Sequence, residues 1–176
     1  RHEQLSAGKS VISENLVNSV SKSKAFLSVN SKAENIDLDN ASLDYGHMAV
    51  VSQSKSGSVN LKSSAKGNSL RIYSSNKFEQ SKDAEVNMSD AFTLSSRADI
   101  HLTNNIKAGN KITIETISGD ITQAGESNVS ANRVNYKGKN VHVDGSILSS
   151  DLTLSAENFT QGEHSSLHAI SALMTE

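Results

Sequence analysis

One unit of sequence returns three times in this chain: an apolar-x-apolar pair, an apolar anchor, a Gln two places on, and a closing apolar residue eight places after the anchor. It reads Leu70, Ile72, Phe78, Gln80, Val86; then Ile112, Ile114, Ile121, Gln123, Val129; then Leu152, Leu154, Phe159, Gln161, Leu167. Recurrence at about forty residues, with a degenerate unit in between, is the mark of a solenoid, in which each repeat buries its apolar points against the next. The twelve apolar residues are therefore expected in the core. The three glutamines, two residues after an anchor, are expected to point inward at a corner, where a side-chain amide satisfies backbone groups.

The intervening unit reads Phe92, Leu94, Ile100, Leu102, Ile106 and again Val134, Tyr136, Val141, Val143, Ile147, with an earlier copy at Leu27, Val29, Ile36, Leu38, Leu43. Apolar-x-apolar pairs have the period of a strand with one buried face, and they lack the i, i+3, i+4 stripe of a helix. Their first members, Leu27, Met48, Leu70, Phe92, Ile112, Val134 and Leu152, step by 21, 22, 22, 20, 22 and 18 residues. That spacing predicts an all-β chain: a parallel β-helix of about eight coils near 21 residues each, with three short faces and a length of roughly 40 Å. Antiparallel hairpins or a sandwich share the period of two, but Asp144-Gly145 is the lone hairpin-type dipeptide and the spacing is too even for them. Corners fall at Ser118-Gly119-Asp120, Lys137-Gly138-Lys139-Asn140 and Asp144-Gly145-Ser146, rich in residues that tolerate turns. Thr93, Thr113 and Thr153 are expected in one outward column, and Asn60, Asn87 and Asn135 are expected to stack through their amides.

We divide the chain into 1–25, an irregular first coil or lead-in; 26–170, the β-helix; and 171–176, a cut end. In the lead-in, Leu5, Val11, Ile12, Leu16, Val17 and Val20 fit a strand-rich turn or a short amphipathic helix, the former preferred. The absence of an evident cap reads as a window from something longer.

Composition narrows the rest. There is no Pro, as expected where nearly every backbone N–H enters a ladder, and no Cys, which rules out disulfides and thiolate metal sites. Ser and Asn exceed a quarter of the residues and aromatics are 4%, a composition that would suit disorder were the apolar spacing not so regular. The net charge of -2, with no basic stripe, argues against nucleic acid as a partner. No apolar run reaches the roughly 18 residues that cross a bilayer as a helix.

The stretches Lys111-Ile112-Thr113-Ile114, Gly119-Asp120-Ile121-Thr122-Gln123-Ala124-Gly125 and Asp151 through Gly162 resemble the haemagglutinin repeats of filamentous haemagglutinin-type exoproteins, most clearly over residues 92 to 170. The resemblance implies a right-handed parallel β-helix within a large bacterial protein exported by two-partner secretion. It implies secretion to the cell surface, an outer-membrane partner transporter, and a receptor of protein or glycan nature on a host or neighbouring cell. The chain has neither an Asn-Pro-Asn-Gly secretion motif nor a recognisable toxin module, so it resembles the shaft. The expected function is a rigid shaft or binding segment of an adhesin-like exoprotein. The alternatives are the shaft of a contact-dependent growth inhibition toxin and a β-helix polysaccharide lyase or hydrolase.

No catalytic residue, metal or cofactor is expected. His101 and His142 lie between apolar pairs and should point outward two turns apart, too far to share a metal ion. Glu163, His164 and His168 would suit a metal if helical, but Leu167 aligns with Val129 on a strand. Asp37, Asp39 and Asp44 could hold Ca²⁺ weakly; we read them as a solvated face. No Gly-x-Ser-x-Gly nucleophile motif accompanies the many serines.

Overall fold

In a computed structural model the chain is all-β, with residues 2–7, 10–11, 26–32, 35–39 and 43–175 described and no helix among them. Ile12, Leu16, Val17 and Val20 lie outside the described residues, while Leu5 and Val11 fall in the strands His2–Ala7 and Ser10–Val11. Every strand pairing is parallel, in one ten-stranded and one eight-stranded sheet. The chain is a β-solenoid of about seven turns at a spacing of roughly 20 residues. Seven turns, bounded by the eight rungs from Leu27 to Ala172, advance roughly 35 Å.

Each coil has three faces, and the registers align them residue by residue. The first face stacks Ala65, Val86, Ile106, Val129, Ile147 and Leu167. The second stacks Leu70, Phe92, Ile112, Val134 and Leu152 in one column and Ile72, Leu94, Ile114, Tyr136 and Leu154 in the next. The third stacks Ile36, Val59, Phe78, Ile100, Ile121, Val141 and Phe159. First and second faces belong to one sheet because strands such as Val86–Ser96 and Asn128–Lys137 run through the bend between them; the third face is the other sheet. Pairing reaches beyond the central segment at both ends, since His2–Ala7 pairs with Phe26–Ser31 and Ser166–Thr175 with Ser146–Ser155.

Burial follows the pattern of two. Leu70, Ile72, Phe78, Val86, Ile112, Ile114, Ile121, Val129, Leu152 and Leu154 are buried in one continuous core; Phe159 and Leu167 pack partly buried against it, with a described coil on one side only. Thr93, Thr113 and Thr153 share one outward column, with Asn135 between the last two. The expected stack of Asn60, Asn87 and Asn135 does not form. Asn60 is on the third face against Glu79, Asn87 on the first against Lys107, and Asn135 on the second against Thr113.

Corners are tight enough to exclude side chains. A Cβ on buried Gly119 would collide with the backbone of Ala98 and Asp99 in the coil below, whereas one on Gly125 would meet the carboxylate end of Asp144 at 3.1 Å, which can turn aside. Gly119→Ala is therefore expected to lose about 1–3 kcal/mol and Gly125→Ala to stay within about 0.5 kcal/mol, compared by thermal denaturation.

Candidate functional site

From Leu61 onward the corner joining the third face to the first alternates between two lengths; the preceding one, Leu38 to Leu43, is a step of five. Leu61 to Ala65, Leu102 to Ile106 and Val143 to Ile147 are steps of four, whereas Gln80 to Val86, Gln123 to Val129 and Gln161 to Leu167 are steps of six. Each six-residue corner holds the same backbone turn: the N–H of Ala84 donates to the Ser81 carbonyl (3.1 Å), that of Ser127 to Ala124 (3.2 Å) and that of Ser165 to Gly162 (3.2 Å). The turn brings backbone carbonyls to the inside of the corner, where a polar group without a partner is costly.

Glutamine meets that need. Gln80, 3% exposed, donates through Nε2 to the carbonyls of Ala84 (2.7 Å) and Asn105 (3.3 Å), and its Oε1 accepts from the N–H groups of Thr103 (3.1 Å) and Asn104 (3.2 Å). Gln123, fully buried, donates to Ser127 (3.3 Å) and Ser146 (2.9 Å) and accepts from the Tyr136 hydroxyl (2.7 Å). Each amide thus ties a wide corner to the narrow corner of the next coil. Gln161, expected to point inward like the other two, is exposed: its strand is the edge of the eight-stranded sheet, so no further narrow corner among the described residues covers it.

Tyr136 is fully buried, and burial raises its phenol far above the usual value. The folded state therefore binds the proton more tightly than the unfolded chain, whose tyrosine titrates near 10. This contribution to stability is fully present below about pH 10 and is lost as pH rises above it. Tyr136→Phe is expected to lose about 1–2 kcal/mol at neutral pH, because Gln123 Oε1 loses its donor, and to remove this alkaline loss. Urea titrations at pH 8 and pH 11 check both.

Serine reaches the interior as well. Past the second-face pair the period of two continues into Ser52, Ser74, Ser96 and Thr116, all buried, with Ser74, Ser96 and Thr116 stacked in register. Ser74 Oγ donates to the Lys77 carbonyl (2.6 Å) and Thr116 Oγ1 to Ala98 (2.7 Å), fastening the corner into the third face. The pattern apolar-x-apolar-x-Ser/Thr was available as a signal, but serine is common on the surface too. Outside, the Asp99 carboxylate accepts from Asp120 N–H (2.9 Å), Asp120 from Asn140 Nδ2 (2.9 Å), and Asn140 Oδ1 from Asn158 Nδ2 (2.8 Å), a ladder running along the rod.

The outward column of the third face carries the histidines. His101, Thr122 and His142 are successive rungs. His101 Nδ1 lies 3.7 Å from Glu79 Oε1 and His142 Nδ1 2.6 Å from Thr160 Oγ1. Asp37 accepts from Asn60 Nδ2 at 2.9 Å and lies 3.5 Å from Lys62 Nζ; Asp39 is exposed, and the Asp44 side chain lies outside the described residues. His164 sits in a wide-corner turn and His168 on a strand, both exposed. Among the described residues no three His, Asp or Glu side chains gather as a metal-binding group.

Wide corners project and narrow ones recede, so this edge of the rod is notched. A cavity of about 370 Å³ lies over the narrow corner at Lys62, lined also by Asn60, Glu79, Ser81 and Asp83. A second of about 360 Å³ lies over the narrow corner at Thr103 and Asn104, between Lys82 on one side and Ala124, Gly125 and Glu126 on the other. Over the next narrow corner the Asp144 carboxylate packs between Gly125 and Gly162 and occupies the equivalent space. Elsewhere, exposed Leu148 and Ile170 line an open cavity with Ala108 and Ala131 at the bend between first and second faces.

No protein-family model matches this chain, and searches of curated proteins and of solved structures find no match.

Proposed function

We propose that this chain is a rigid shaft, or a binding segment of the shaft, in a secreted bacterial exoprotein displayed at the cell surface, adhesin-like and not itself enzymatic. The observation that carries this reading is the continuous stack: four columns of apolar side chains and two parallel sheets continue from coil to coil, as a load-bearing spacer requires. Stiffness comes from hydrogen bonds parallel to the rod axis and a core without hinges. Resemblance of the repeats to those of haemagglutinin-type exoproteins supports the secreted setting. A cell-surface receptor on a host or neighbouring cell and an outer-membrane transporter for the parent protein are the partners this reading calls for.

Incubating the labelled chain with host and bacterial cells tests the binding role, and small-angle scattering tests the rod. Saturable cell binding by a rigid elongated particle is expected. A compact particle, or one that bends freely, overturns the shaft; release of sugar fragments from acidic polysaccharides with Ca²⁺ would replace it with a lyase.

A further inference from the structure

We propose that the notched edge is a binding site for an uncharged β-linked glycan, laid along the rod and held at successive notches. The proposal rests on the surface-binding reading above and names its ligand class. Two open cavities of nearly equal size, about 370 and 360 Å³, within the range of small-ligand sites, sit over narrow corners two coils apart. Two coils advance about 10 Å, and a β-1,4-linked chain, in which alternate sugars face the same way, advances by a similar distance per disaccharide. A glycan can therefore present the same face to both notches without strain.

The lining matches sugar hydroxyls. Asn60, Ser81, Thr103 and Asn104 supply amides and hydroxyls. Asn60 donates to Asp37, Ser81 accepts from the Asp83 N–H, Thr103 donates to the Gln80 carbonyl and Asn104 to that of Lys82, and each keeps capacity for a further hydrogen bond. Each notch adds both an ammonium and a carboxylate: Lys62 with Glu79 and Asp83, Lys82 with Glu126. A polyanion would meet the carboxylates and a polycation the lysines, so mixed charge favours an uncharged chain. An extended peptide fits less well. Strand addition needs an unpaired strand edge, whereas the third-face strands beside the notches are paired on both sides, Lys77–Gln80 with Ser58–Leu61 and Ile100–Leu102. The linings hold no aromatic side chain, and their apolar members, Leu61 and Ala124, offer no deep pocket.

Calorimetric titration of this chain with cello-oligosaccharides and N-acetylated chito-oligosaccharides, from two to six sugars, is the test. Affinity is expected to rise by more than about tenfold once one molecule reaches both notches. The doubly substituted chain Lys82→Ala, Glu126→Ala changes two exposed side chains; it should keep its melting temperature, keep disaccharide binding at the first notch and lose the gain with length. No binding by any of these sugars, affinity independent of length, or wild-type behaviour of the double variant would each overturn the proposal. The two readings separate on cells. Cell binding that free oligosaccharides do not compete, and that protease treatment of the cells abolishes, keeps the surface role and removes the glycan; sugar binding without cell binding does the reverse.

Discussion

Ile114→Asp is expected to cost more than about 4 kcal/mol, enough to melt the central coils. Ile114 is fully buried, stacked between Leu94 and Tyr136 in the second-face column. A carboxylate there has apolar neighbours above and below, and no lysine, arginine or histidine is buried among the described residues. Neutralising it would still leave a polar acid in a space shaped for a branched hydrocarbon. Thr113→Asp, one residue earlier in an outward column between Thr93 and Asn135, should stay within about 1 kcal/mol. Because stacked arrays can unfold in parts, hydrogen exchange resolved along the chain is the better measurement, with loss of protection centred on the coils around Ile114. Equal tolerance of both substitutions would show that inward and outward positions have been exchanged.

The second large effect separates glutamines that look alike in sequence. Gln123→Leu leaves the Ser146 carbonyl and the Tyr136 hydroxyl without the Gln123 amide, while the Ser127 carbonyl keeps the Ser146 N–H at 2.9 Å. At about 1–3 kcal/mol for each of these two groups left unsatisfied, a total loss of at least about 2 kcal/mol is expected. Leucine fills nearly the same volume, so little of this comes from a cavity. Gln161→Leu changes an exposed side chain and should shift stability by no more than about 0.5 kcal/mol. Paired thermal melts decide it, and a similar loss in both variants would assign the amides a role other than pinning buried corners.

The core was legible because geometry allows it few substitutes: with about 4.8 Å between rungs, inward positions away from the corners are apolar, and Leu70, Ile112 and Leu152 repeat accordingly. The face to which a similar local context belongs was not legible. Asn60, Asn87 and Asn135 sit in comparable surroundings in sequence, yet each occupies a different face, since a period of two fixes inside and outside but not which of three sides. The contact between Gln123 and Tyr136 was hidden for a related reason. The two are 13 residues apart and meet across the core from different sheets, a distance no local pattern encodes. The notches were not legible because they arise from a difference between corners, four residues against six, and a repeat carries its signal in sameness.

That difference sets the step by which such a rod can lengthen or shorten. Removing a single coil would set two narrow corners, or two wide ones, directly above one another, and a glutamine would then face a neighbour that does not offer the carbonyl it needs. Removing or adding a pair restores every contact. Gene duplication and deliberate editing should therefore both move in double coils of about forty residues, and the rod's length in any relative built this way should come in multiples of two rungs.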